Sequence, residues 1–412
     1  MEPGSDDLML GEASIRSPTD ATDAEYFNPE HSTAKAVYSL LDSVDSESIA
    51  EEYGIGRHSP KHDFDNHVKV AIREGLDPSD SLEELAQTTD AADELDYMAA
   101  STFSRYTNDR EYGAVVRLLS DLLQTRQLYH QRGVQRKRLE WLSRGVIATD
   151  ATNLTLTRSV TVHDGTDREP AEIDPSDGGL ALHMAARVDV AQKHPVGVGL
   201  SQGQSHESPQ FDALRDDVEV FADLDSCILV FDRGYTLYAR FCEIKYSDDD
   251  FVTLLRSNAC VDILEQIQDV EITVAKEQEE GDASESYRVR DDWIELSDTE
   301  ETFRRVTLET PDGEVMEYVT TLAPEEYDPI DVIQIYTLRT LIEILFRELK
   351  QYLNVENFHS TTLNGVLFEL FCSLIGFMLI HWLRDHYPVK DGVADTIQQV
   401  RANWNQTLSS FG

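Results

Sequence analysis

The chain has 412 residues and a formal net charge of −43, from 78 acidic and 35 basic residues. That length accommodates two or three domains with a substantial core, and so acidic a balance argues against holding nucleic acid by global attraction. Cys227, Cys242, Cys260 and Cys372 form no CxxC pair and no zinc spacing, which argues against a disulfide scaffold or zinc site and fits free thiols in a reducing cytoplasm.

The opening MEPGSDDLML has neither a basic nor an apolar signal region, so no secretory signal is expected. Residues 1–30 are acidic, poor in aromatics and punctuated by Gly and Pro, a composition of disorder. Residues 31–143 read as helical: STAKAVYSLLDSV, FDNHVKVAIREGL, a helix opened by the capping box Ser81-Leu-Glu-Glu84, STFSRYTNDR, and a long amphipathic run to about Gln131. His58, His62 and His67 have spacings that invite a metal site, but Pro60 between them favours a turn before a helix. The hydroxyls and Arg105 in STFSRY suit a helix start facing phosphate or base edges, with an ordinary helical bundle as the alternative.

Arg126, Arg132, Arg136, Lys137, Arg138 and Arg144 form the one concentrated basic run, with Tyr129 and Trp141 among them. Such a local reversal of sign fits contact with a DNA backbone, the alternative being salt bridges to the acidic surface. Residues 144–257 then alternate between strand and helix. RGVIATDATNLTLT carries Asp150, ALHMAARVDVAQ and HPVGVGLSQG follow, PQFDALRDDVEVFAD is helical, and CILVFDRGY is an apolar strand ending in Asp232. A helix, TLYARFCEIKYS, and a strand, DFVTLLRS, complete an α/β pattern. Over 258–322 short β-prone pieces such as SYRVRDDWIEL and FRRVTLETP alternate with acidic turns.

Residues 323–385 hold two apolar helices before a polar tail, 386–412. The first is expected over Ile335–Lys350. At 100° per residue its polar residues Tyr336, Arg339, Glu343 and Lys350 share a stripe about 60° wide, opposite Leu338, Leu341, Ile342, Leu345 and Leu349. The second, Val366–Leu383, approaches the length of a membrane span, but Glu369 and His381 interrupt it and favour a buried helix.

The order Tyr336-x2-Arg339-x3-Glu343-x6-Lys350 resembles the YREK signature of DDE transposases in the insertion-sequence family that includes the hairpin-forming cut-and-paste enzymes. Asp150 in VIATDAT and Asp232 in LVFDRGY match the two further carboxylates of that family. The resemblance covers roughly Arg144 to Leu383. It implies an RNase-H-like catalytic core, a β-rich insertion over 258–322 and a helical DNA-binding region before the core.

It further implies two Mg²⁺ or Mn²⁺ ions held by Asp150, Asp232 and Glu343, an arrangement suited to phosphoryl transfer because hard oxygen ligands leave positions open for phosphate and water. Tyr336, Arg339 and Lys350 would contact phosphates of a double-stranded DNA end, with Arg233 a further contact. Trp293, the one Trp of the insertion, would stack on an extruded base, the alternative being a core or surface Trp of the β-rich insertion. A homodimer on DNA and a cytoplasmic location, with no membrane partner, complete the expectation. The alternatives are an inactive or co-opted end-binding protein and another RNase-H-like nuclease. The acidic surface with scarce Lys resembles proteins from organisms with molar internal salt, where a Debye length of about 3 Å at 1 M weakens repulsion of DNA.

Overall fold

The computed structural model describes residues 30–56, 63–92, 94–132, 138–156, 159–162, 171–173, 179–189, 194–202, 210–221, 226–276, 283–296, 299–353, 358–386 and 392–407. The acidic start, His58, His62, Arg136 and Lys137 lie outside them. Two compact units emerge, one drawn from Met1–Leu128, Tyr352–Asn354 and Thr362–Gly412, the other from Tyr129–Gln351 and Val355–Thr361.

The first unit is helical. It contains α1 (Thr33–Tyr38), α2 (Ser46–Glu52), α3 (Phe64–Leu76), α4 (Leu82–Asp90), α5 (Ala100–Asp109) and most of α6 (Gly113–Arg132), together with C-terminal helices over Leu363–His386 and Val393–Ala402. Ser81 caps α4 by accepting from the Glu84 N–H at 3.2 Å. Glu84 takes the Asp80 N–H instead of returning to Ser81, so the predicted capping box is shifted by one donor.

Within the helix Leu363–His386, the stretch Leu363–Arg384 is long and apolar enough to cross a membrane, yet most of it is buried. Its closest neighbour is α3: a Cβ added to Gly75 would stand 2.5 Å from Ser373 Oγ and 3.0 Å from its Cα, so only glycine permits this approach. His67 belongs to the same interface. Its ring stacks on Phe368 with centroids 4.4 Å apart, Nδ1 accepts from Arg110, and Nε2 stands 3.0 Å from Thr107 Oγ1. A ring with both nitrogens committed is a core residue, which removes His67 from any metal reading.

The second unit is built on one sheet. Its strands are β1 (Gly145–Leu154), β4 (Leu180–Arg187), β5 (His194–Gln202), β6 (Cys227–Phe231), β7 (Asp250–Leu254), β8 (Val261–Lys276), β9 (Ala283–Leu296), β10 (Thr302–Glu309) and β11 (Val315–Thr320), while β2 (Val160–Val162) and β3 (Ala171–Ile173) form a separate pair. The order is β5-β4-β1-β6-β7-β11-β10-β9-β8, with β1, β6 and β7 parallel and every other neighbour antiparallel. Helices α7 (Gln210–Phe221) and α8 (Tyr238–Lys245) connect β5 to β6 and β6 to β7. The strands expected from 258–322 therefore extend the main sheet through β11 rather than forming a sheet of their own. The all-apolar β6, Cys-Ile-Leu-Val-Phe, is buried throughout, as a parallel central strand requires.

The helix expected over Ile335–Lys350 is two helices, α9 (Pro329–Thr337) and α10 (Thr340–Tyr352). Across the junction Leu338, Arg339, Leu341 and Ile342 donate to carbonyls three residues back instead of four. The hydroxyls of Thr337 and Thr340 take the Gln334 and Thr337 carbonyls at 2.6 and 2.8 Å, so this turn tightens.

Candidate acidic site

β1 is buried from Gly145 to Thr149 and opens at Asp150. Thr149 is level with Phe231 on the parallel neighbour β6, so Asp150 and Asp232 follow side by side where both strands leave the core. Asp232 begins the tight turn Arg233–Tyr235. Two arginines hold that turn. Arg240, buried on α8, pairs with Asp212 of α7 at 2.9 Å and donates to the Tyr235 carbonyl at 2.7 Å, while Arg256 donates to the Thr236 carbonyl at 3.0 Å.

Helix α10 brings the third carboxylate. Arg339 Nη1 donates to Asp150 Oδ2 at 3.2 Å and Nη2 to Glu343 Oε1 at 2.5 Å, so one guanidinium joins β1 to α10. Asp150 Oδ1 accepts from the Ala151 N–H at 2.9 Å. Lys350, two turns beyond Glu343, donates to the Asn153 carbonyl at the end of β1. An open cleft of about 470 Å³ lies here, lined by Asp150, Thr152, Glu343, Phe346, Arg347 and Lys350 among others.

Burial pushes the Asp150 carboxyl up to about 6; the Ala151 N–H and Arg339 oppose the rise, and the charges of Asp232 and Glu343 add to it. Burial likewise pushes the Tyr336 phenol up to about 12, with Arg339 opposing and Asp232 contributing. These mutual effects place Asp150, Asp232, Glu343, Tyr336 and Arg339 in one electrostatic cluster. Tyr336 also packs edge-on against Tyr318 of β11, with centroids 5.3 Å apart.

Other expected contacts stand elsewhere. Arg233 is exposed on the turn after Asp232. Trp293 is half-buried on β9, opposite Arg304 and Glu265, and outside the cleft. Arg138 is exposed, its N–H donating to the Asp189 carbonyl at 2.7 Å. Arg144 is an internal tie that pairs with Asp250 and donates to the Cys227 carbonyl at 3.0 Å, so the salt-bridge alternative describes it. Arg347 was absent from the expected stripe although the same arithmetic sets it about 20° from Tyr336; it lines the cleft. No local signal marks Arg240 or Arg256, whose acceptors depend on tertiary placement.

Among the described residues, no three His, Cys, Asp or Glu side chains form a ready cation site. The donor chemistry nevertheless suits a hard divalent ion: Asp150 Oδ2 and Glu343 Oε1 already converge on one cationic group, and Asp232 lies within electrostatic reach.

Fold and cleft together define a mixed α/β protein that gathers acidic residues from separate elements at the ends of central parallel strands. Residues 141–379 match the family model described as "Transposase DDE domain", and the chain belongs to that family of DDE transposases. It is similar to "Probable transposase for insertion sequence element IS5377" of Geobacillus stearothermophilus, 26% identical over 241 residues that cover 57% of this chain and 58% of that protein. It is also similar to "Putative transposase y4zB" of Sinorhizobium fredii, 30% identical over 158 residues, 37% of this chain and 41% of that protein. The chain thus spans roughly two- to three-fifths of the length of these curated relatives.

Proposed function

We propose that this protein is a cut-and-paste transposase of the YREK type, which cleaves DNA at insertion-sequence ends and joins them to a target. The observation that carries the reading is the convergence of Asp150 and Glu343, from distant parts of the chain, on the single guanidinium of Arg339. The order β5-β4-β1-β6-β7, with only β1, β6 and β7 parallel, supports an RNase-H-like core continued by the strands of 258–322.

Asp150, Asp232 and Glu343 would hold two Mg²⁺ or Mn²⁺ ions. When bound, such ions activate the attacking oxygen and stabilise the leaving one. The chain's own residues bind and orient DNA: Tyr336, Arg339 and Lys350 hold phosphates near the scissile bond, Arg339 as a forked donor and Lys350 as a point charge. Arg233 and the basic run at Arg136, Lys137 and Arg138 track the backbone farther out, and the helices of 31–143 bind the end sequence. Water cleaves one strand and leaves a 3′-OH, which attacks the opposite strand to form a hairpin and release the flanking DNA. Trp293 then stacks on an extruded base. Water opens the hairpin and restores the 3′-OH that attacks target DNA. Two copies act together on paired ends, in the cytoplasm of a cell whose high internal salt suits the acidic surface.

The test is cleavage at high KCl, with Mg²⁺ or Mn²⁺, of DNA carrying the ends that flank this gene. Wild type should form 3′-OH ends in a metal-dependent way, and Asp232→Asn should bind the same DNA without cutting it. Binding without cleavage by wild type would instead assign an end-binding protein. Cleavage without joining to target DNA would assign a nuclease.

A further inference from the structure

Arg339 engages carboxylate oxygens that a divalent ion held by Asp150 and Glu343 would also need. Its guanidinium takes Asp150 Oδ2 and Glu343 Oε1, while the Ala151 N–H takes Asp150 Oδ1. Both oxygens of Asp150 and one of Glu343 are therefore engaged by donors of the chain. A carboxylate oxygen in a charge-assisted hydrogen bond offers less of its lone pair to a hard cation, and a guanidinium repels a divalent ion at contact distance. The two cations compete for the same acceptors.

The arrangement also allows exchange. The two carboxylates belong to different elements, β1 and α10, so no single rigid segment fixes the bridge. Arg339 itself sits on the tight turn between α9 and α10, outside the regular hydrogen bonding of either helix. The Glu343 side chain is half exposed, and water can replace one of the two bonds.

We propose that Arg339 is the built-in counter-cation of the Asp150–Glu343 pair, which a divalent ion must displace and which is thereby freed to bind a phosphate. The proposal rests on the reading of Asp150 and Glu343 as metal ligands. It gives Arg339 two alternative partners, and it couples entry of the ion to presentation of a phosphate-binding donor. Arg339 is then a positioning residue for the carboxylates as well as a contact to DNA.

The experiment titrates Mn²⁺ alone into the full chain at high KCl, following free Mn²⁺ by electron paramagnetic resonance. Wild type, Arg339→Ala, Arg339→Lys, Asp150→Asn and the double variant Arg339→Ala/Asp150→Asn are compared, with circular dichroism verifying the fold of each. The Asp150→Asn proteins define binding to the many surface carboxylates, so the Asp150-dependent sites are read by difference. Arg339→Ala is expected to bind Mn²⁺ roughly tenfold more tightly than wild type at those sites. Arg339→Lys should fall between them, because one ammonium cannot bridge both carboxylates as a fork does. Equal or weaker binding by Arg339→Ala would overturn the competition while leaving Asp150 a metal ligand. Binding unaffected by Asp150→Asn in either background would overturn both readings.

Discussion

The second unit contains two arginine–carboxylate constructions that look alike on paper and differ in what they can do. In the strands β9 and β10, Arg304 holds Asp291 by two parallel bonds of 2.9 Å, and its remaining nitrogen donates to the Leu322 and Tyr327 carbonyls at 3.1 and 2.8 Å. Both side chains are sealed, at 0% and 1% exposure. In the cleft, Arg339 divides its guanidinium between two carboxylates, with Arg339, Asp150 and Glu343 exposed by 15%, 18% and 50%. The first is a closed set of donors and acceptors that fastens the segment before α9 to the sheet. The second leaves carboxylates in excess of their counter-charge and open to solvent, which suits binding rather than fastening.

The largest expected effect falls on the sealed pair. Arg304→Ala should cost about 3–5 kcal/mol of stability, because Asp291 would be left buried without its partner. Denaturant unfolding measures this, and a loss below about 1 kcal/mol would make the Arg304–Asp291 pair no more of a fastening than an exposed ion pair.

The cleft carboxylate should respond in the opposite direction. The Asp150 carboxyl titrates near 6 in the folded protein, above the ordinary carboxylate range, so folding takes up a proton between those two values. Its ionised form thus costs stability above pH 6, and that cost fades as pH falls toward about 4. Asp150→Asn should stabilise the protein by roughly 2–3 kcal/mol at neutral pH, with the gain shrinking on acidification. A stability profile that moves in parallel with wild type across that window would show that the Asp150 environment is ordinary.

The smallest effect belongs to Arg339→Ala, which should change stability by about 1 kcal/mol, since Glu343 is half exposed and Asp150 keeps the Ala151 N–H. A loss as large as that of Arg304→Ala would make Arg339 another fastening.

Much of this contrast rests on features written locally in the chain. The alternation of apolar and turn-forming segments marked the strands around Asp150 and Asp232, because period-2 patterning and apolar runs reflect which faces are buried. The polar stripe of Tyr336, Arg339, Glu343 and Lys350 was equally visible, since 100° arithmetic needs only the order of residues. The composition carried the acidity of the surface for the same reason.

Tertiary structure decided the rest. The turn that separates Tyr336 from the helix bearing Glu343 depends on hydroxyl competition at Thr337 and Thr340, which helical periodicity does not register. Arg304 meets Asp291 because antiparallel register sets β10 beside β9, and Arg240 reaches Tyr235 because α7 and α8 fold against the same turn. Arg144 sits in a basic run but closes on Asp250, more than a hundred residues away in sequence. Periodicity reports which face of an element is buried, whereas the partner across the interface is chosen by register and packing, and those exist only once the chain has folded.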